Sequence, residues 1–546
     1  MNIQLREYQQ STYDAIIDKL SDDKIRSLCV ALPTGGGKSV LIAKLANSLP
    51  GRTLILTHRI EILQQNSEWL HRASVLTAKN NTLRYDCEIV IAMVQTAFAR
   101  IQKYGIDYLG HFDNIILDEV QVLIFQKVFE KYEYRKLIGF TGTPVLNKKI
   151  YSEIDGVEYV EDYTLSEIFD DIVEGTDTQE LIDLGYLVQD YNIVLNLPDF
   201  DKLKESESNP DGYTTKSLNE VYSNTASIEI LNKAYYDHCK GKKTIIFNAT
   251  TKINEFVYNN FKEHGLNVKM FDTVNTTDIN EKTGKPFTRA EIIEWFNNER
   301  DAILINTNVF TTGFNVTDVE VVIVNRATKS LSLWIQMVGR GSRTTTKIFK
   351  DIFTVIDLGQ NIHEHGIWSK KRNWTEYFYS SGKRLKHKSD LLDTWECTKC
   401  GALNVKGILI CEKCGAEKQA SSGDKGNTKK LKDGTLEVVN EMPLPKAHSI
   451  ISYTKSKGEN SNFAFMLLER KILDLFNHYN VTADFYHNRK DEFDARVKAI
   501  YRPIYFAIIR SDLEGSHKRL DSQFERILTK IEKKYERDNH INAQKS

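Results

Sequence analysis

The stretch ALPTGGGKSV, residues 31–40, sets three consecutive glycines and a Lys-Ser pair between an apolar run and a helical pattern. Glycines let backbone N–H groups approach a phosphate chain, and a helix that begins there presents further amide donors. Lys38 can neutralise the outer phosphates, and the Ser39 hydroxyl can coordinate Mg²⁺. Leu32 stands where the strict pattern has glycine, so a glycine-rich turn before a helix is the alternative interpretation. The predicted phosphate loop, residues 32–39, offers a nucleotide site formed by Thr34, Gly35, Gly36, Gly37, Lys38 and Ser39.

Apolar strand-like runs alternate with helical patterns through the first 150 residues. Such alternation predicts a parallel sheet covered by helices, in which ligands collect at the carboxyl ends of strands. The run FDNIILDEVQ, residues 112–121, puts Asp118 and Glu119 at one of these ends. We assign Asp118 to coordination of Mg²⁺. We assign Glu119 to orienting or deprotonating the attacking water. The alternative is that both acids merely follow a buried strand.

Composition bounds the remaining possibilities. The chain has 546 residues, enough for three or four domains, and its 73 Lys+Arg nearly balance its 74 Asp+Glu. Any affinity for nucleic acid must therefore come from a local groove. No apolar run approaches the ~18 residues of a membrane span, and the polar start predicts a cytoplasmic protein. Three scattered cysteines, Cys29, Cys87 and Cys239, are expected to be reduced and inert.

Further motifs follow in order between about residue 4 and residue 370. Together with the phosphate loop and the acids, they resemble the superfamily 2 helicases of the DEAD/DEAH-like kind. LREYQ resembles the segment that reads adenine in the family, which implicates Arg6 and Gln9. LILTHRIEILQQ and IVIAMVQTAFAR resemble motifs Ia and Ib, which line the nucleic-acid path in the family. Four residues are implicated in that path: His58, Arg59, Gln95 and Thr96.

The second half of the chain continues the resemblance. KKTIIFNATT resembles motif IV, ILINTNVFTTGFN resembles motif V with Gly313, and WIQMVGRGSR, residues 334–343, resembles motif VI. Arg340 and Arg343 lie three residues apart, so one helix face can carry both to a γ-phosphate across a domain cleft. The catalytic residues implied by the resemblance are Lys38, Asp118, Glu119, Gln336, Arg340 and Arg343.

Two segments invite a coupling role between nucleotide and nucleic acid. In TGTP, residues 141–144, Thr141 and Thr143 can link the nucleotide site to a neighbouring surface, although a plain turn is the alternative. Gln121 stands where DEAH-like families have histidine, and it cannot titrate near neutral pH. Asn315 stands where relatives often have aspartate. Neither departure removes the metal ligand, the base or the arginines, so we expect an active ATPase.

The resemblance implies an α/β fold with two tandem RecA-like domains that contain parallel sheets. A small zinc finger and a mainly helical C-terminal domain should follow. The predicted organisation is a first RecA-like domain over 1–150, a connecting segment over 151–179, a second RecA-like domain over 180–370, a basic aromatic segment over 371–394, a four-Cys zinc finger over 395–417, a linker over 418–447 and the C-terminal domain over 448–546.

Residues 368–388 combine seven Lys/Arg with five aromatic side chains and one acid. Basic groups attract phosphates and aromatic faces stack on unpaired bases, so this composition favours contact with nucleic acid. That interpretation assigns the contact to Lys370, Lys371 and Arg372. The alternative is a solvated helical face whose aromatic residues pack on the motor.

Two CxxC pairs, separated by ten residues, lie between Trp395 and Glu417. Four thiolates at this spacing favour a closed structural Zn²⁺ site, with a redox pair as the alternative. The ligands would be Cys397, Cys400, Cys411 and Cys414. The segment resembles the Ran-binding-protein-type zinc finger, a family that includes binders of single-stranded RNA and binders of proteins. A helicase core followed by such a module resembles the bacterial RadD helicase family, which favours DNA.

The C-terminal hundred residues return to helical periodicity. An apolar stripe at spacings of three and four residues indicates packing within a small domain, or a site for a partner protein. Its members are Leu520, Phe524, Ile527, Ile531 and Tyr535.

Three functional hypotheses follow from these features. The first is an ATP-dependent helicase or translocase on DNA, acting in repair, recombination or replication. The second is an RNA helicase, because the motor motifs do not read the sugar. The third is a recruitment factor that works through the zinc finger and the C-terminal domain, with ATP as a switch. The oligomeric state is not predicted.

Overall fold

The computed structural model describes residues 3–57, 70, 73–78, 86–120, 126–130, 132–145, 148–154, 157–206, 209, 211–272, 279–280, 284–307, 310, 316–379, 394–396, 403–405, 436–439, 444–478, 490–511, 513 and 526–530. The chain divides into two compact units. One comprises residues 1–343 and 354–439, and the other comprises residues 344–353 and 440–546.

The first unit contains two seven-stranded sheets, and strands of the first sheet are buried along almost their whole length because helices cover both faces. The strands of this sheet are β1 (Ser27–Ala31), β2 (Thr53–Thr57), β3 (Ser74–Leu76), β4 (Ile89–Met93), β5 (Asn114–Asp118), β6 (Lys136–Thr141) and β9 (Asp171–Glu174). Their order is β3-β4-β2-β5-β6-β1-β9, with every pair parallel. The ends of β5, β6 and β1 therefore lie side by side.

Two apolar layers cover this sheet. Side chains alternate across each strand, so Leu28 of β1 packs into a cluster with Ile16, whereas Cys29 packs on the opposite face with Ala97. The helices that follow or precede these strands are α1 (Glu7–Ser21), α2 (Lys38–Ser48), α3 (Val94–Tyr104) and α4 (Gln126–Phe129). Between β6 and β9, the antiparallel pair β7 (Lys148–Ile154) and β8 (Val157–Tyr163) stands outside the sheet.

The second sheet repeats the parallel arrangement. Its strands are β10 (Gln189–Leu195), β11 (Thr244–Asn248), β12 (Val268–Phe271), β15 (Ile303–Asn306), β16 (Val321–Asn325), β17 (Ile352–Asp357) and β20 (Leu436–Val438). Their order is β12-β15-β11-β16-β17-β10-β20, in which β20 pairs antiparallel with β10 at one edge. Two short antiparallel pairs lie outside it, formed by β13 (Ile279–Asn280) with β14 (Lys285–Pro286) and by β18 (Thr394–Glu396) with β19 (Leu403–Val405).

Helices with polar N-caps alternate with these strands. Asp177, Thr214, Asn224, Thr250 and Thr288 each accept a hydrogen bond from the first turn of the following helix. The helices are α5 (Thr178–Asp183), α6 (Thr215–Tyr222), α7 (Thr225–His238), α8 (Thr251–Glu263), α9 (Arg289–Asn298), α10 (Leu331–Val338), α11 (Asn361–His365) and α12 (Trp374–Tyr379).

The predicted pair of α/β domains with parallel sheets is thereby confirmed. The structure also adds two edge strands from segments that the sequence marked as connections. Strand β9 lies within residues 151–179, and β20 lies within residues 418–447. Both are only three or four residues long, too short for apolar periodicity to reveal them.

In the second unit, helices α13 (Ala447–Ser456), α14 (Ser461–His478) and α15 (Lys490–Arg510) pack around a core of their own. Ile450, Leu468 and Ile508 are fully buried there. Of the predicted apolar stripe, only Ile527 lies among the described residues, and it is 1% exposed within this core. No helix in the described ranges combines the length and the apolar character needed to cross a membrane.

Candidate nucleotide site

The phosphate loop joins β1 to α2 in a conformation that its glycines permit. Gly35 and Gly37 have φ values of +87° and +85°, in the left-handed region where other residues are strained. Helix α2 starts at Lys38, and the preceding Gly37 supplies no capping side chain. Its first amides can therefore serve a bound anion. Leu32 is buried in the core below the loop, so its departure from the strict pattern leaves the phosphate side open.

Asp118 is the last residue of β5, and Glu119 follows it, beside this loop. Asp118 is 3% exposed, and Glu119 has a φ of +62°, a conformation that costs a residue with a side chain roughly 1–2 kcal/mol. Lys38 Nζ lies 3.5 Å from Glu119 Oε1 and donates a hydrogen bond to the Leu32 carbonyl at 3.3 Å. The predicted lysine and both acids therefore meet, although they lie far apart in the sequence.

Electrostatics at this site favour a cation. Burial, reinforced by the neighbouring Glu119 charge, raises the pKa of Asp118 to about 7, and Lys38 opposes the rise only in part. Two adjacent carboxyls with one lysine between them fit a divalent cation, which would supply the missing positive charge. Ser39 and Asp118 would hold Mg²⁺ in such a site. In the described part of the chain, no group of three or more His, Cys, Asp or Glu side chains forms a metal site, so a nucleotide would have to complete the coordination.

The TGTP turn lies directly against the phosphate loop. A Cβ built on Gly142 would stand 3.4 Å from Thr34 Oγ1 and 3.5 Å from Lys38 Nζ. Thr143 donates its backbone N–H to Thr141 Oγ1 at 2.9 Å, and both threonines are buried. The turn is thus a neighbour of the predicted phosphate site, and its coupling role stays a prediction.

The second sheet brings motif VI to the same place. A Cβ on Gly339, just after α10, would lie 3.6 Å from Thr34 Cβ. Arg340 is 4% exposed and donates from Nε to the Gln336 carbonyl at 3.2 Å. Burial lowers the pKa of Arg343 to about 10, so this arginine is still charged at neutral pH. Helix α10 ends at Val338, so Arg340 and Arg343 lie after the helix, and the expectation that one helix face carries both is wrong. The turn after α10, through Gly339, closes one side of the cleft above the phosphate loop.

The segment predicted to recognise adenine packs against the phosphate loop. The Arg6 backbone N–H donates to Gln9 Oε1 at 3.0 Å, and Gln9 is 4% exposed. Sequence reasoning missed two aromatic residues here. Tyr8 donates from its hydroxyl to the Gly36 carbonyl at 3.2 Å. The ring centre of Tyr186 lies 4.3 Å from the guanidinium carbon of Arg6. Tyr8 could have been noticed because it stands inside LREYQ, whereas Tyr186 lies in no motif.

The basic aromatic segment does not project away from the motor over its described part. Lys370, Lys371 and Arg372 line the cleft beside Thr34, and Lys371 pairs with Asp177 at 3.2 Å. Trp374 and Phe378 pack against the core of the first sheet. These two aromatic residues therefore pack on the motor, as the alternative interpretation of this segment predicts.

Several predicted residues lie outside the described ranges: His58, Arg59, Gln121, Gly313, Cys397, Cys400, Cys411 and Cys414. Gln95 and Thr96 lie in the first turn of α3, with Gln95 exposed and Thr96 half-buried. Their contact with nucleic acid stays a prediction. The remaining three cysteines are buried thiols, and burial raises the pKa of Cys239 to about 12, consistent with inert residues.

A phosphate loop, two strand-end acids and an arginine from a second parallel sheet define a nucleotide hydrolase with tandem RecA-like domains. Two family models match the chain: "Type III restriction enzyme, res subunit" over residues 2–146 and "Helicase conserved C-terminal domain" over residues 226–345. The chain therefore carries the paired domains of a superfamily 2 helicase and is an ATP-dependent enzyme of that class.

Similar proteins include two that are named a helicase or a translocase. A "51.5 kDa protein" of Lactococcus phage (isolate 7-9) is 27% identical over 70% of this chain and 76% of its own length. The "Putative ATP-dependent helicase IRC3" of Saccharomyces cerevisiae is 27% identical over 62% of this chain but only 49% of its own length. The "DNA 3'-5' translocase XPB2" of Sulfurisphaera tokodaii is 22% identical over 63% of this chain and 80% of its own length.

Proposed function

We propose that this enzyme is an ATP-driven DNA helicase or translocase that acts in repair, recombination or replication. The observation that carries the proposal is the composite cleft, in which Gly339 of the second RecA-like domain lies against Thr34 of the first. A site divided in this way makes nucleotide binding close the two domains and hydrolysis release them. A motor converts that cycle into movement along a strand.

Each residue of the cleft has a chemical role. Lys38 leaves Glu119 to bind the outer phosphates, which frees the carboxylate to orient or deprotonate the attacking water. Arg340 and Arg343 stabilise the charge that develops on the transferred phosphoryl group. Asp118 and Ser39 would hold Mg²⁺, which would neutralise phosphate charge when bound together with ATP.

DNA is the favoured substrate on two grounds. The order of a helicase core followed by two CxxC pairs resembles the RadD layout, and one relative is named a DNA translocase. The test is steady-state ATP hydrolysis with no polymer, single-stranded DNA, duplex DNA, a forked junction or single-stranded RNA, all at one salt concentration. Strong stimulation by DNA, above all by the fork, is expected, whereas stimulation by RNA alone would establish an RNA helicase instead.

A motor subunit of a restriction system is a second candidate. The matching description "Type III restriction enzyme, res subunit" favours it. Purification of the chain from its native cells distinguishes the two, because a restriction motor should copurify with a methyltransferase or a nuclease. A chain that purifies without such activities and that unwinds forks would exclude the restriction candidate.

The four-Cys segment is proposed as a structural Zn²⁺ site that contributes to recognition of nucleic acid or of a partner protein. Support comes from the donor set and from the antiparallel pair β18–β19, which flanks the first CxxC, residues 397–400. Four thiolates would close the coordination shell without an open position. Freshly purified protein should contain one zinc per chain, which the double change Cys397→Ser and Cys400→Ser should release while basal ATPase persists. Metal-free wild-type protein would contradict the assignment.

A further inference from the structure

After β17 and α11 of the second domain, the chain returns to the first RecA-like domain. Residues 365–379, here called the return segment, end in α12, where Phe378 is fully buried in the first-sheet core. Thr375 donates from its backbone N–H to Glu174 Oε1 at 2.7 Å, and Tyr379 donates from its hydroxyl to Asp171 Oδ1 at 3.1 Å. Both acceptors belong to β9, so the return segment is anchored on the edge of the first sheet.

The loop that precedes this anchor is held by one guanidinium. Arg372 donates from Nη1 to the carbonyls of Trp368 and Lys370 at 3.2 and 3.0 Å. It donates from Nη2 to the carbonyls of His365 and Ile367 at 3.0 Å each. Four acceptors spread over six residues match the planar fork of arginine, and the point charge of lysine cannot reproduce them. Arg372 therefore fixes the path of the loop over residues 365–370.

This loop contacts motif VI from two directions. The Trp334 indole N–H, inside α10, donates to the Gly366 carbonyl at 3.1 Å. Trp368, itself 2% exposed, places its indole nitrogen 3.4 Å from the position of a Cβ on Gly339. Thr34 Cβ of the phosphate loop lies 3.6 Å from the same Cβ position, so Trp368 and Thr34 both approach Gly339 there. The loop thus contacts the end of α10 at the point where Gly339 meets the phosphate loop.

We propose that Arg372 is a positioning residue for ATP hydrolysis: by bracing the loop behind Trp368, it keeps Gly339 and Arg340 against the phosphate loop. The proposal rests on the ATPase class of the enzyme and is independent of whether the polymer is DNA or RNA. It differs from the sequence-based prediction that Arg372 contacts nucleic acid. A direct contact with a nucleic-acid phosphate needs only the positive charge of Arg372. Holding the loop over residues 365–370 needs the four hydrogen bonds that the guanidinium donates to backbone carbonyls.

The experiment compares Arg372→Lys and Arg372→Ala with wild-type full-length protein. The measurements are kcat and KM for ATP, with and without saturating fluorescein-labelled oligo(dT), the Kd for that oligonucleotide, and the melting temperature. Both variants should lose about tenfold or more in kcat, because a small displacement of a catalytic arginine weakens transition-state stabilisation. KM for ATP, oligonucleotide Kd and melting temperature should change little. Lys233→Ala removes an exposed cation from α7 and serves as the charge-matched control.

Three outcomes would overturn the proposal. If Arg372→Lys restores wild-type kcat, the positive charge suffices and no brace is needed. If oligonucleotide Kd rises while kcat at saturation is unchanged, Arg372 is a nucleic-acid contact. If only the melting temperature falls while kcat per folded molecule is preserved, its role is confined to folding. Should Arg372→Ala fail to fold, the kcat of Arg372→Lys alone decides.

Discussion

The carboxyl edges of the two parallel sheets carry similar polar groups and use them differently. At the first sheet, Asp118, Glu119 and Lys38 crowd together, and the pKa of Asp118 is raised by burial and by its neighbour. At the second sheet, polar side chains bond to one another instead. Asn325 donates to Asn248 Oδ1 at 2.7 Å, and Asn248 in turn donates to Asn254 Oδ1 at 2.9 Å.

The difference separates a predicted binding edge from a structural edge. Buried polar groups that satisfy one another rigidify a domain, whereas carboxyls held without full compensation cost stability until a ligand arrives. The second edge also contains the buried ion pair of Arg326 with Asp211. Motif VI, which continues past α10 of the same domain, contacts the phosphate loop of the first edge through Gly339. Substitutions in either domain test this difference through their effects on ATP hydrolysis and on stability.

The largest effect is expected for Arg340→Ala. The change removes a charge that acts on the transition state, so kcat should fall by roughly 10³-fold or more while ATP binding persists. Steady-state hydrolysis and binding of a fluorescent ATP analogue measure the two quantities. Lys38→Ala is the counterpart in the first domain and should weaken nucleotide binding or turnover. Equal losses of nucleotide affinity in both variants would contradict the division of roles.

The next effect concerns the stability of the second domain. Asp211→Ala leaves the Arg326 guanidinium, 1% exposed, without its counter-charge, which should cost about 3–5 kcal/mol in the free energy of unfolding. Urea denaturation provides the measurement. Glu205→Ala, which removes a 75% exposed partner of Lys329 from the same loop, should cost under about 1 kcal/mol. Equal costs would mean that the buried pair contributes no more than a surface pair.

A smaller loss of stability is expected when either of two glycines with a left-handed backbone conformation, Gly37 or Gly241, is changed to alanine. A Cβ on Gly37 would stand 2.2 Å from Gln9 Nε2, whereas a Cβ on Gly241 would meet no atom within 4 Å. Both changes to alanine should cost about 1–2 kcal/mol of stability through backbone strain. Only Gly37→Ala should also impair ATP hydrolysis, by displacing the loop or Gln9. Full activity in Gly37→Ala would show that the loop accommodates a side chain.

The last effect, read as a difference between two pH values, is a pH-dependent gain in stability for Asp118→Asn. A carboxyl whose pKa is raised to about 7 in the folded state stabilises the fold below its ordinary pKa and loses that contribution as pH rises through 7. Asparagine never ionises, so the variant should melt higher than wild type at about pH 8, with a smaller difference at about pH 5. Thermal melts without Mg²⁺ or nucleotide measure this difference. An identical difference at both pH values would contradict the raised pKa.

Much of the candidate site could be predicted from short stretches of sequence. The phosphate loop, the paired acids and motif VI are each contiguous, because a strand end and the turn after it position a whole functional group. The major strands were likewise readable from apolar runs of five or six residues. The short strands β9 and β20 were not, since a few residues carry no periodic signal.

What the sequence predicted by itself is the chemistry: which residues would bind phosphate, which carboxyls would hold the metal and activate the attacking water, and which arginines would complete the site. Tertiary structure alone decided where the basic aromatic segment lies. Thr375 forms a hydrogen bond with Glu174, which lies 201 residues away in the sequence. Arg372 donates hydrogen bonds to nearby backbone carbonyls instead of projecting towards a polymer. Composition records the charge and apolar area of a side chain, but only packing selects which distant neighbour satisfies it.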